Sequence, residues 1–299
     1  MKIKCPKCQA HFRRSNFQNR PVVKFGSFYR ISDRKLVQRY FCKPCGLHFS
    51  VATLFQCYKQ KKRHLNQKIA RQLAAGVSMR ECARILQVNK KTVVRKMIHM
   101  GARAQRKLEI LNRLKAKVQI LEFDDLETFE HTKCKPVAVG LAVEYRTRWI
   151  VGYDVSQMAA KGLLAKKSLR KYGVRKDERA RGRLRLFNKI QSYVSQNAII
   201  KSDENPHYAS DIKRFFPTAL HHVYKGRKSS LGGQGELKKV TFDPIFSLNH
   251  TCAVMRYRTS RLIRKTWNTT KKKERLNLHL ALIILHHNLS LKIPLLSTE

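Results

Sequence analysis

Val118-Gln-Ile-Leu-Glu-Phe-Asp124 reads as a buried β-strand that stops on a carboxylate. From Lys117 onward the hydrophobic period shortens from helical spacing to a near-continuous apolar run, the pattern of a strand covered on both faces. Asn197-Ala-Ile-Ile-Lys-Ser-Asp203 repeats the form and also ends on an aspartate. Between them, PVAVGLAVEY (136–145) and RWIVGYDV (148–155) are separated by Arg146-Thr147, which fits an antiparallel hairpin. Helical stretches through 161–171 and 180–195 flank the basic segment YGVRKDERARGR. NPHYASDIKRFF (205–216) reads as a helix and ALHHVY (219–224) as a short strand. Three strands, helices, strand, helix, strand and helix make an α/β domain with a mixed sheet over residues 117–299.

Acidic side chains are rationed in this chain. Lys and Arg number 64 against 19 Asp and Glu, a formal net charge of +45. Only Asp33, Glu81 and Glu109 precede residue 116, and then Glu122, Asp124, Asp125, Glu127 and Glu130 crowd together. Such a cluster could neutralise nearby lysines, or the strand-end aspartates could serve as turn residues. Position favours chemistry, because carboxylates at the ends of neighbouring strands can converge outside a sheet and hold hard divalent cations.

The charge itself implies a polyanionic partner, and double-stranded DNA fits best, with strong and steeply salt-dependent binding. The 42% hydrophobic content spread along the chain argues against a disordered basic tail. No run of eighteen apolar residues is present, and MKIKCPKC lacks the apolar stretch of a signal peptide. Of eight cysteines, four form C-x-x-C pairs and four stand singly, which suits a reducing compartment. The expected location is cytoplasmic and nucleoid-associated.

Cys5-Pro-Lys-Cys8 and Cys42-Lys-Pro-Cys45 have the spacing that wraps a structural zinc ion in four thiolates. Short strands between them, with Phe49 and Phe55 as core, make residues 1–60 a zinc ribbon. Redox dithiols are the alternative, disfavoured by two such pairs in one small basic unit.

Residues 61–100 read as a helix-turn-helix DNA-binding domain. Leu65, Ile69, Leu73 and Ala74 recur at helical spacing before Gly76, and Ser78-Met-Arg-Glu81 opens a second helix with Cys82, Ile85 and Leu86 inward. Asn89 caps a third helix that presents Lys90, Lys91, Thr92, Arg95 and Lys96 outward, as a recognition helix would. Residues 101–116 are expected to form a basic linker helix.

Taken together, the chain resembles a DDE-type transposase of small bacterial insertion sequences, with an N-terminal zinc ribbon and helix-turn-helix before an RNase H-like catalytic domain. FDDLETFEHTK (123–133), KSDENPHY (201–208), GGQGELKK (232–239) and DPIFSLNHTCAVMRYRTSRLIRKTWNTTK (243–271) carry the likeness. It implies Asp124 and Asp203 as the first two catalytic, magnesium-holding residues, with Mg or Mn as cofactor. In the related pattern a Glu stands before an Arg-rich segment, and sliding that pattern onto Arg256–Thr266 places Asn249 there. An amide carbonyl can ligate magnesium, and some similar transposases carry Asn; Asp243 and then Glu236 are the fallback ligands. Arg256, Arg258, Arg261, Arg264 and Lys265 recur along the same helix and would guide a DNA end, while 225–239 would be a basic clamp. His250, His279, His286 and His287 are read as structural or phosphate-contacting. The resemblance implies metal-dependent cleavage and strand transfer at insertion-sequence ends by a homodimer or larger assembly. A non-catalytic regulator derived from a transposase, or a nuclease of the same fold, are the alternatives.

Overall fold

The computed structural model describes residues 3–12, 20–55, 57–225, 243–263 and 267–296. The chain divides into two compact units, Met1–Lys68 and Ile69–Glu299. Among the described residues no helix is long and apolar enough to cross a membrane.

The first unit is built on a three-stranded antiparallel sheet of β1 (Val22–Arg30), β2 (Lys35–Cys42) and β3 (His48–Ser50), in that order. A one-turn helix, α1 (Val51–Leu54), follows. Its core is small: Cys5, Val22, Tyr40, Cys42 and Phe49 are buried together. Tyr40 stacks on Phe49 and meets the edge of Phe12, both at 5.6 Å between ring centroids. Phe55, expected in this core, is half exposed because the chain leaves α1 extended and carries the ring outward.

The second unit begins within α2 (Leu65–Ala74), followed by α3 (Met79–Ile85) and α4 (Lys90–Leu114). Gly76, at φ +85°, ends the first of these turns, a backbone conformation that glycine adopts without strain. Ser78 Oγ accepts the Glu81 N–H at 3.2 Å and Asn89 Oδ1 accepts the Lys91 N–H at 2.8 Å, so both expected caps are formed. Cys82 and Ala83 turn inward, whereas Ile85 is 53% exposed.

The expected recognition and linker helices are one continuous helix of 25 residues. Gly101 does not break it. A Cβ there would meet the backbone oxygen of Leu278 at 2.3 Å, so the glycine marks the close approach of a neighbouring helix rather than a stop.

The main sheet has the order β6-β5-β4-β7-β8. Its strands are β4 (Val118–Phe129), β5 (Pro136–Glu144), β6 (Ile150–Gln157), β7 (Val194–Asp203) and β8 (Leu220–Tyr224). β5 is antiparallel to β4 and β6, and β7 is parallel to β4 and β8. Helices α5 (Leu164–Tyr172), α6 (Arg179–Ile190) and α7 (Pro206–Phe215) lie between strands in sequence, and α8 (Phe246–Arg258) and α9 (Lys273–Ser290) follow. The helix expected through 195 ends at Ile190, where a 3-10 turn, Gln191–Tyr193, leads straight into β7.

Because β4 is central, it is covered on both faces. Leu126, Val139, Leu141 and Tyr153 pack with Ala104, Leu108, Leu248, Met255, Leu280 and Ile284 from α4, α8 and α9. Leu121, Phe123 and Val151 pack on the other side with Leu186, Phe187, Tyr208 and Ile212 from α6 and α7. Polar pins tie α4 and α9 to the edge strand β6. Asn112 accepts the Trp149 indole N–H at 2.8 Å and donates to the Val151 carbonyl at 2.7 Å. Asn288 accepts the Ile150 N–H at 3.0 Å and donates to the Ile150 carbonyl at 2.9 Å.

Candidate functional site

The two C-x-x-C turns fold alike. Cys5 accepts the Gln9 N–H, Cys42 accepts the Gly46 N–H, and Gln9 and Gly46 both take left-handed φ near +61° and +68°. Those turns aim four sulfurs at one point. Cys5 Sγ lies 3.5 Å from Cys45 Sγ and Cys8 Sγ 3.4 Å from Cys42 Sγ, and all four lie within 4.8 Å of one another. A tetrahedral zinc with Zn–S bonds of about 2.3 Å separates its sulfurs by about 3.8 Å, so the cluster has the size such an ion requires. Crowding also splits the thiols. Cys5 falls to about 6, held there by backbone N–H groups against the opposing effect of burial, while burial and neighbouring sulfurs push Cys42 up to about 12. Four thiolates cannot share this space without a cation. The Cys5, Cys8, Cys42 and Cys45 cluster can therefore bind a metal such as zinc.

The aspartates of the main sheet form the second candidate. β4 does not stop at Asp124 as the sequence pattern suggested. It continues to Phe129 because β5 goes on pairing with it, Asp124 opposite Leu141 and Phe129 opposite Pro136. What ends at this point is the partnership with β7, whose last pair is Phe123 with Ser202. Asp124 and Asp203 are thus the next residues on two adjacent parallel strands, just past the last pair that those two strands share.

Burial and the Asp203 charge raise Asp124 to about 7. The Asp125 N–H donates to Asp124 Oδ1 at 2.6 Å, and the Tyr208 hydroxyl donates to the same oxygen at 3.4 Å. Asp203 Oδ1 accepts the Asn205 N–H at 3.2 Å, and Asn205 in turn caps α7. Asp125 is raised to about 6 by burial, against the nearby Arg183 and Arg179 charges. Arg183 pairs with Asp211 at 2.8 Å and lies over the Tyr208 ring, so a buried network backs the strand end.

Glu122 is a residue that sequence reasoning passed over as part of the acidic cluster. It is fully buried and raised to about 7 by burial. Its Oε2 accepts the Leu248 N–H at 2.6 Å, fastening the first turn of α8 to β4. The i, i+2 spacing from Asp124 was the available signal, since it puts both carboxylates on one face of the strand.

Asn249 sits in that first turn of α8, exposed, and donates Nδ2 to Asp243 Oδ2 at 2.8 Å. Asp243 Oδ1 also accepts the Ile245 N–H at 3.0 Å, so Asp243 braces the turn just ahead of α8 without capping the helix itself. One turn further along α8, Cys252 is raised to about 12 by burial and by the Asp124 charge. Among the described residues only the four cysteines form a group of three or more close His, Cys, Asp or Glu ligand atoms. Glu236 and the 226–239 part of the basic loop lie outside the described residues, as do Arg264 and Lys265.

The cationic helix expected beyond Asn249 is interrupted. α8 ends at Arg258, and Arg261 stands in the following turn, half-buried and lowered to about 10 by that burial. Arg256 donates to the carbonyls of Glu127 and Leu262, both at 3.3 Å. On α4, Lys90, Lys91 and Arg95 are exposed and Thr92 is half-buried. Lys96 is buried, 7% exposed, because it lies beside Met97 and Val93 on the packed side of the helix. Arg80, Arg84 and Lys90 line an open depression at the α3–α4 turn, so two arginines of α3 join the cationic surface that the sequence placed on α4 alone. His279 is buried and His287 is engaged with the Arg148 carbonyl, in keeping with structural roles. No protein-family model and no curated protein sequence matches the chain.

Proposed function

We propose that the chain is a DNA transposase, a metal-dependent polynucleotidyl transferase that cuts and joins strands at insertion-sequence ends. The observation that carries the reading is the placement of Asp124 and Asp203 side by side on adjacent parallel strands of a sheet ordered β6-β5-β4-β7-β8. That order, with its antiparallel second strand, is the basis for reading the domain as RNase H-like.

Asp124 and Asp203 would hold magnesium or manganese, hard ions suited to carboxylate oxygens. When bound, such ions activate the attacking oxygen and stabilise the leaving oxygen of a phosphodiester. The fit rests on charge. Asp124, raised by burial and by the Asp203 charge in a protein of net charge +45, is a group whose charge a cation would relieve. The chain's own residues do the positioning. Tyr208 and the Asp125 N–H orient Asp124, and Glu122 seats α8 beside it. Asn249 is the proposed third ligand: its Nδ2 is committed to Asp243, leaving Oδ1 as the available donor atom.

In this reading the four cysteines hold a structural zinc, and α2 to α4 act as a helix-turn-helix. Lys90, Lys91, Thr92 and Arg95, with Arg80 and Arg84, would meet the duplex. Two ends must be processed together, so a homodimer on DNA is the working form. The neutral Asn249 favours one second reading, a non-catalytic DNA-binding regulator derived from a transposase. A joining assay on element-end DNA with magnesium or manganese separates the two. The wild type should join ends, and Asp124→Asn or Asp203→Asn should lower joining by at least about a thousandfold while DNA affinity stays within about twofold. Wild-type joining below detection with intact binding would favour the regulator.

A further inference from the structure

The outer face of the three-stranded sheet carries aromatic rings in the open. Tyr40 and Cys42 face the sulfur cluster and are buried, so alternation turns Arg39 and Phe41 to the opposite side. There the Phe41 ring lies 4.7 Å from His48 and 6.2 Å from Phe25, and Phe25 lies 4.5 Å from His48. Phe25 is 48% exposed and Phe28, further along the same strand, 39%.

A bulge creates this arrangement. Lys24 pairs with Tyr40 and Ser27 with Gln38, so Phe25 and Gly26 together oppose Arg39. Gly26 takes φ +64°, and its carbonyl accepts Gln38 Nε2 at 2.6 Å. The extra residue re-aims Phe25 toward Phe41 and His48, as bulges do where a strand must redirect a side chain. The Arg39 guanidinium stands 5.9 Å from the Phe25 centroid.

Cross-strand packing alone accounts for the rings touching, but not for leaving them half in water within so charged a unit. Residues 1–68 hold 17 Lys and Arg against the single acid Asp33, and Asp33 is already paired with Arg30 at 2.5 Å. The partner that matches such a surface is a polyanion with flat apolar faces. A duplex keeps its base faces stacked inside; a single strand exposes them.

We propose that the Phe25, Phe41 and His48 face, with Arg39, stacks the unpaired bases of single-stranded DNA. The assignment does not depend on the strand-transfer reading, because it concerns binding by a different part of the chain.

Fluorescence anisotropy on the zinc-loaded full chain, with labelled oligothymidylate and a duplex of equal length at one salt concentration, tests it. Phe25→Leu keeps an apolar side chain without a ring face, and should weaken single-strand binding about tenfold and duplex binding less than twofold. Phe25→Trp should bind the single strand as well as the wild type. Equal loss on both DNAs, or no loss on either, overturns the proposal. A measurement without any variant guards against a misfolded ribbon: a strand carrying 5-iododeoxyuridine should crosslink on irradiation to Phe25, Phe41 or His48. Crosslinks confined to α3 and α4 overturn it. So does a Phe25→Leu protein that changes its sedimentation mass but keeps full single-strand affinity, which would assign the face to a second copy of the chain.

Discussion

Two candidate metal centres in one chain differ in how they are closed. The four cysteines surround a point completely, with their sulfurs within 4.8 Å of one another, and each pair is delivered by a turn four residues long. Asp124 and Asp203 meet only after the 78 residues between them are wound into a sheet and helices, and no third carboxylate closes on them among the described residues. A closed thiolate set suits an ion that holds a small unit together; an open carboxylate pair leaves room for another oxygen ligand. The surroundings differ in the same sense. Among the described residues only Val22, Tyr40 and Phe49 are buried with Cys5 and Cys42, whereas two large apolar clusters sandwich β4. An ion held by the cysteines would contribute more to the stability of the first unit than an ion at the aspartates would to the second, which would tolerate an empty site.

The largest effect should therefore follow from attacking the closed site. Cys42→Ser, or a strong chelator, should remove the metal and unfold residues 1–68, because structural zinc contributes about 10–16 kcal/mol of binding free energy. Metal analysis should give one zinc equivalent in the wild type and less than about 0.1 in the variant, with Ile69–Glu299 retaining its helical circular dichroism. Full retention of zinc by Cys42→Ser would break the four-thiolate arrangement.

At the open site the proposed third ligand should matter less than either aspartate. Asn249→Ala is expected to lower strand joining about a hundredfold, and Asn249→Glu to retain at least a tenth of wild-type activity, as a metal ligand replaced by a better one would. Asp243→Asn, which removes the charge at 243 and the acceptor facing the Asn249 amide, should cost about tenfold. A harmless Asn249→Ala beside an inactive Asp243→Asn would move the ligand to Asp243.

A smaller effect should appear in stability. Asp124, Asp125 and Glu122 are all raised, to about 7, 6 and 7, chiefly by burial. Groups raised in the folded state contribute stability that is complete below their unfolded pKa, about 4, and lost as pH climbs through the folded values. In metal-free protein the thermal midpoint of the second unit should thus fall between pH 5 and 8 by a few degrees. Asp124→Asn should flatten part of that fall. Magnesium should restore the midpoint at pH 8 and leave it unchanged at pH 5. A midpoint indifferent to magnesium at pH 8 would remove the cation from the aspartates.

How much of this was legible in the sequence follows the same division. The C-x-x-C turns, the caps at Ser78 and Asn89, and the end of β7 at Asp203 are local signals, and each is formed as its spacing implied. What depends on a distant neighbour was not legible. The end of β4 moved from Asp124 to Phe129 because β5, not the strand's own pattern, decides where pairing stops. The boundary expected between the third helix and the linker helix from 101 is absent, and Gly101 there is a close contact with α9. Lys96 looked like part of a cationic face and is packed against the helix's inner side, since the charge of a long side chain says little about where its stem lies. Glu122 was hidden for the same reason: its partner, the Leu248 N–H, lies 126 residues away.

Helix α4 joins what the sequence had separated, and that continuity has a mechanical consequence. From Lys90 to Asn112 it advances about 33 Å at 1.5 Å per residue, close to one turn of B-DNA. Its leading end bears exposed lysines, and its trailing end is pinned to the edge strand through Asn112. A rod without a hinge works as a ruler. If the leading end grips a duplex as proposed, that stretch would be held at a set distance and a set rotational phase from the sheet. A bending linker would leave that spacing free to drift.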